Sequence, residues 1–135
     1  RPPRSTLFPY TTLFRSAKIY DIRSFIDHGY EILYITARYN DDEIKQATID
    51  WLKKYDIFDR SLGCIHERSV LKYTHARENN LDFFIDDYHK VIKSMKGVIP
   101  YPFLLKGTVN KNISDLKRYE WGEIKNTIKD LSFII

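Results

Sequence analysis

Glu31-Ile32-Leu33-Tyr34-Ile35-Thr36-Ala37-Arg38 is the stretch on which the fold turns. Glu31 to Ile35 is a short β-branched and aromatic run with no polar alternation, which predicts a strand covered on both faces, as in a parallel sheet. A second run, Asp82-Phe83-Phe84-Ile85, has the same character and ends in Asp86-Asp87. Between and around these runs the periodicity is helical. Ile19, Ile22, Phe25 and Ile26 share one face of residues 17–28, stopped by Gly29; Asp41-Asp42-Glu43 opens a helix that runs to about Asp56. Helices are also expected over residues 70–79, 88–96 and 115–131, the last with Leu116, Tyr119, Ile124 and Ile128 at helical intervals. Residues 62–65 read as a weak strand. Val98 to Leu105 reads as an extended edge strand because of Pro100 and Pro102. Strands separated by helices of this length predict βαβ units and an α/β fold with a parallel sheet.

Composition narrows the classes. The 135 residues carry 43% hydrophobic and 30% charged side chains, the balance of one globular domain and too short for two ordinary ones. The single cysteine, Cys64, excludes an internal disulfide framework and a Cys-based zinc cluster. No apolar run approaches the ~20 residues that span a bilayer. The formal charge of +4 invites a nucleic-acid reading, which requires clustered basic residues. Lys53-Lys54 and Lys90, Lys93, Lys96 read instead as solvated helix faces.

Arg1 to Ser16, RPPRSTLFPYTTLFRS, stands apart. It repeats Thr-Leu-Phe at 6–8 and 12–14, holds three of the five prolines and has no acidic residue or regular periodicity. It resembles, residue for residue, the in-frame translation of a common short-read sequencing adapter. The expectation is therefore that residues 1–16 are an artefactual segment and that 17–135 are an N-terminally truncated core. Residues 1–16 hold three of the 22 basic residues, so the remaining 19 face 18 acidic ones and the basic excess nearly vanishes.

The chemistry-bearing residues fall at the carboxyl ends of the two clear strands, where loops leave a parallel sheet and ligands bind. Thr36 and Arg38 follow the first strand. Asp86 and Asp87 end the second, and adjacent carboxylates there suit a hard cation such as Mg²⁺ with its waters. Lys72, one helix and a turn before the second strand, is placed to reach the same face and hold an anion. A hydroxyl, a lysine, an acidic pair and a divalent cation make a phosphate site. Taken singly, Thr36 and Asp86-Asp87 are ordinary helix caps, and Arg38 and Lys72 ordinary solvated charges. Their order and strand context favour the functional reading.

The set Ile32-Leu33-Tyr34-Ile35-Thr36-Ala37-Arg38, Lys72, and Phe83-Phe84-Ile85-Asp86-Asp87 resembles the second, third and fourth motifs of the haloacid dehalogenase-like phosphohydrolases, closest to small 5′-nucleotidase-like members. Tyr119-Glu120-Trp121-Gly122-Glu123-Ile124 is similar to a Trp-containing closing helix of that group. The resemblance implies a Rossmann-like three-layer α/β/α sandwich and a Mg²⁺-dependent phosphomonoester hydrolase working through an aspartyl-phosphate. It implies that Thr36 binds a phosphate oxygen, that Lys72 offsets the charge of the intermediate, and that Asp86 and Asp87 hold the metal. Arg38 would shape the substrate site. The implied partner is a small phosphorylated substrate such as a nucleotide monophosphate, with no membrane role.

One departure is decisive. Family members carry Asp-x-Asp at the tip of the first, central strand, and no Asp-x-Asp occurs in this chain. Without that nucleophile the covalent reaction has no first step, so the chain is expected to be inactive. The sheet is expected to lack its central strand, leaving inner edges unsatisfied and the polypeptide poorly soluble; pairing by Thr6 to Phe14 would be opportunistic. The 35 residues between Thr36 and Lys72 leave no room for an inserted cap domain. Alternatives are a non-catalytic binding or regulatory module and a polynucleotide phosphatase of the same superfamily. A phosphorelay receiver places its acidic pair before the Thr and Lys, the reverse of the order here. The four histidines lack metal-ligand spacing, Cys64 reads as a small core residue, and Tyr20, Tyr34, Tyr55 and Tyr73 read as packing residues. One cysteine and no visible signal point to the cytoplasm.

Overall fold

The computed structural model describes residues 4–7, 16–38 and 41–132. The elements are β1 (Arg4–Leu7), α1 (Ser16–Asp27), β2 (Glu31–Thr36), α2 (Asp42–Lys54), β3 (Cys64–His66), α3 (Lys72–Glu78), β4 (Phe83–Asp86), α4 (His89–Met95), β5 (Tyr101–Leu105), β6 (Arg118–Tyr119) and α5 (Trp121–Ser132). Single 3-10 turns at Ser69–Leu71 and Thr108–Asn110 precede α3 and follow β5. The six strands form one sheet in the order β3-β2-β1-β4-β5-β6, and every pairing is parallel. The α/β class with a parallel sheet expected from the two apolar runs is what the chain forms.

Those runs lack alternation because both faces of the sheet are covered. Ile32 and Tyr34 of β2, Phe83 and Ile85 of β4, and Phe103 and Leu105 of β5 pack with α1, α5 and Leu52 of α2 on one face. Leu33, Ile35, Phe84 and Leu104 pack on the other with Ala76 of α3 and Val91, Ile92 and Met95 of α4. Each such side chain contributes roughly 1.5–3 kcal/mol by leaving water. Tyr34 is fully buried and its hydroxyl donates to the Ile57 carbonyl at 2.5 Å, so even the polar tip is satisfied. Gly29 ends α1 at φ +91, a conformation that favours glycine. Asp41 caps α2 by accepting from the Ile44 N–H at 2.9 Å.

Several expectations are corrected. The sheet does not lack a central strand: Arg4–Leu7 lies between β2 and β4, with Ser5 opposite Ile32 on one side and Phe83 on the other. Two parallel edges with unmet backbone groups are the strongest available partners for any extended segment nearby. The helix expected from residue 115 starts at Trp121. Glu123 Oε1 accepts from the Glu120 N–H at 3.1 Å and fixes the start there, while Lys106 N donates to the Tyr119 carbonyl at 2.8 Å and draws residues 118–119 into β6. Trp121 Nε1 then donates to Asp21 Oδ2 at 2.7 Å, tying α5 to α1. Because β6 pairs with Leu104 and Leu105, β5 is an edge only in its first half, and the strand begins at Tyr101 rather than Val98. The weak strand expected at 62–65 is β3 at Cys64–His66, although its ladder starts earlier, with Leu62 N donating to the Ile32 carbonyl. Tyr20, read as a packing residue, is 69% exposed on the outer face of α1. Residues 1–3 and 8–15 of the adapter-like segment, including most of Thr6 to Phe14, lie outside the described residues, as do 39–40.

Candidate active site

The order of strands reverses at β1: the chain winds outward through β2 and β3 on one side and through β4, β5 and β6 on the other. Parallel sheets bind ligands outside the carboxyl ends of the strands flanking such a switch point. Those flanking strands end in Thr36 and Asp86.

Asp86 and Lys72 are brought together. Lys72 Nζ lies 3.4 Å from Asp86 Oδ2, and both side chains are wholly buried. Lys72 stands at the first position of α3, directed inward by the 3-10 turn before it, whose Leu71 N–H is held by the Arg68 carbonyl. Asp86 Oδ1 accepts from the Tyr88 N–H at 2.9 Å as the chain turns from β4 into α4. Burial pushes the Asp86 carboxyl up, and the Lys72 ammonium pulls it back; burial pushes Lys72 down, and Asp86 together with Asp87 pulls it up. The 3.4 Å separation exceeds the usual ~2.7–2.9 Å of a charge-assisted hydrogen bond, so the pair is held by its surroundings rather than closed on itself.

Asp87 is half-buried and directed differently. Its carbonyl accepts from Asn110 Nδ2 at 2.7 Å, and its side chain lies over Gly107, where an added Cβ would stand 3.8 Å from the Asp87 Cβ. Asn110 is the residue that sequence reasoning missed. It is buried, donates also to the Leu105 carbonyl at 2.7 Å, and accepts from the Gly107 N–H at 3.1 Å. One amide thereby joins the ends of β4 and β5. Only the Gly107-Thr108 turn before it hinted at such a latch.

Thr36 is buried at the tip of β2, where its hydroxyl accepts from the Arg38 N–H at 3.3 Å. Its own hydrogen is left to donate. Arg38 is exposed beyond it. His66, set aside as a lone histidine, pairs in register with Thr36 and is buried at the same edge. Its Nε2 is 3.3 Å from the Thr48 hydroxyl, which itself donates to the Ile44 carbonyl at 2.8 Å, so the ring is the donor. Burial first, then Lys45 and Arg38, push His66 down and keep it neutral. The 37–71 segment holds α2, β3 and a 3-10 turn, with no room left for a cap domain.

Two carboxylates are the hard-oxygen donors of this edge, and no group of three His, Cys, Asp or Glu side chains is gathered among the described residues. Mg²⁺ commonly takes one or two carboxylates and completes its shell with water and phosphate oxygens, and Asp86-Asp87 fit that mode. Burial pushes the Cys64 thiol up to about 11, away from the thiolate form that a nucleophile uses. No helix of the described residues is long and apolar enough to cross a membrane.

No family model, curated protein or solved structure matches the chain.

Proposed function

We propose that this edge of the sheet is the phosphoryl-binding site of a haloacid dehalogenase-like phosphohydrolase, on a Rossmann-like three-layer core. The observation that carries the reading is the meeting of buried Lys72 with Asp86 beside Asp87, at the strand ends flanking the switch point, with Thr36 at the other flank. In this reading Thr36 donates its hydroxyl hydrogen to a phosphate oxygen, Lys72 offsets the phosphate charge, and Arg38 shapes the substrate side. Asp86 and Asp87 hold Mg²⁺, which supplies charge stabilisation at phosphorus when bound. The substrate is a small phosphomonoester of the nucleotide monophosphate kind, and the setting is cytoplasmic, which suits a single reduced thiol.

Turnover needs a carboxylate at the tip of the central strand. Residues 1–16 contain none, and Asp-x-Asp occurs nowhere in the sequence. The chain as it stands therefore binds without hydrolysing; a form whose central strand ends in Asp-x-Asp would be the phosphatase. The test is calorimetric titration with inorganic phosphate, with and without Mg²⁺, on the wild-type chain and on Thr36→Val, which keeps the shape and removes the donor. Mg²⁺-strengthened phosphate binding, weakened in Thr36→Val by about tenfold or one hydrogen bond to a charged group, supports the reading. Absence of phosphate binding by a folded chain overturns it.

A further inference from the structure

A second recess lies away from the strand tips. It has a volume of about 470 Å³ and opens between α4 and the segment leading into β6. Its walls are Ile92, Pro102, Leu104, Leu116 and the ring of Tyr119, and its rim carries Lys93, Lys96 and Lys117 against one acid, Asp115. Among the described residues the helices covering this face of the sheet are α3 and α4; beyond α4, β5 and β6 are roofed by the loop around Leu116, which leaves the recess.

The rim lysines differ. Lys93 is tied to Asp115 at 2.5 Å. Lys117 lies 4.5 Å above the Tyr119 ring and 3.7 Å from Glu123. Lys96, exposed at the end of α4, forms no ion pair with any described residue. An added strand is an unsuitable occupant, because the outward backbone position of β5 beside the recess is Pro102, which has no N–H to give. What remains is an apolar floor of small-molecule size under a cationic rim.

We propose that this recess binds a small amphiphilic anion, an apolar body with one carboxylate, whose chain lies on Pro102, Leu116 and the Tyr119 ring and whose head pairs with Lys96. The bland alternative is that Lys93 and Lys96 only complement the carboxyl end of a short helix. That role predicts no preference among solutes and no need for an apolar tail. The phosphate reading of the strand tips has no part in this inference.

The experiment is calorimetric titration of the full chain with octanoate, acetate and octylammonium, with amide chemical-shift mapping. Octanoate should bind and move the signals of Ile92, Lys96, Leu116 and Tyr119, while acetate and octylammonium bind at least about tenfold more weakly, the equivalent of ~1.4 kcal/mol. Lys96→Glu, an exposed change that leaves the core intact, should weaken octanoate by a similar factor, and inorganic phosphate should not compete. Equal binding of octylammonium, octanoate no stronger than acetate, or an unaffected Lys96→Glu would each overturn the proposal.

Discussion

Lys72 Nζ stands 3.4 Å from Asp86 Oδ2 with neither side chain exposed to solvent. Taking two charges out of water costs several kcal/mol per ion, and their attraction returns that only with good geometry and further hydrogen bonds. Asp86 has one such bond, from the Tyr88 N–H, and Asp87 adds attraction for Lys72. By that balance the pair adds little net stability at the strand tip, and under the proposed reading its place there is to meet a phosphate.

Removing one partner should be worse than removing both. Lys72→Met strands a buried carboxylate and should destabilise by about 3–5 kcal/mol, whereas Lys72→Met combined with Asp86→Leu should recover much of that loss. Urea unfolding of the two variants measures it. A double variant as unstable as the sum of its parts would show no energetic coupling between the two groups and would contradict this expectation.

The same pair sets a pH dependence. Burial raises Asp86 from 3.8 to about 7 and lowers Lys72 from 10.5 to about 8. A raised folded value means that the folded state holds the proton more tightly, so the Asp86 contribution is complete below its unfolded value and is lost as pH rises toward about 7. The Lys72 contribution runs the other way, complete above its unfolded value and lost as pH falls toward about 8. The half-buried Glu67 and the exposed Asp115 and Glu123 carboxyls are held low by their partners and oppose the Asp86 trend. Subtracting the stability of Asp86→Asn isolates it: the wild type should lose ground relative to that variant between about pH 4 and about pH 7. A difference that stays flat over this range contradicts the raised value.

Phosphatase assays with an aryl phosphate and Mg²⁺ should return no turnover above background. Under the proposed reading the nucleophile and the acid that protonates the leaving group would both come from an Asp-x-Asp, which the sequence does not contain, so the covalent step would be absent rather than slowed. Mg²⁺-dependent release of phosphate by the purified chain would require a different nucleophile.

Asn110→Ala should cost about 1–3 kcal/mol, since it leaves the Asp87 and Leu105 carbonyls and the Gly107 N–H without their side-chain partner. It should also weaken phosphate binding by loosening Asp87. Thermal unfolding and the phosphate titration read the two effects separately, and a stable variant with unchanged binding would remove Asn110 from the account.

What could be read from the residues was whatever rests on local pattern. β2 and β4 announced themselves because burial on two faces demands unbroken apolar runs, and the helices between them by their 3.6-residue spacing. Tyr119 was misread because one apolar residue fits a helix face and a two-residue strand equally well; its packing against Phe103, with ring centroids 5.0 Å apart, decides the matter. Asn110 and His66 were invisible for a related reason. Their significance lies in partners far along the chain, Asp87 and Thr48, which spacing does not reveal. β1 was anticipated only as opportunistic pairing by Thr6 to Phe14; the strand lies at Arg4–Leu7, which has no strand periodicity, and its place is set by the two edges that enclose it.

That placement has a consequence for how the chain is made. Were the sequence expressed as it stands, with the adapter-like Arg4–Leu7 included, that strand would leave the ribosome before either neighbour, yet Ser5 pairs with both Ile32 and Phe83. The early pairing with β2 can form once residue 36 has emerged, but the far side of β1 waits for β4. Domains assemble during synthesis as their parts become available, and contacts between distant residues form slowly. The nascent sheet would therefore grow first on one flank, and Thr36 and Asp86 would come to stand on either side of the central strand only with the second.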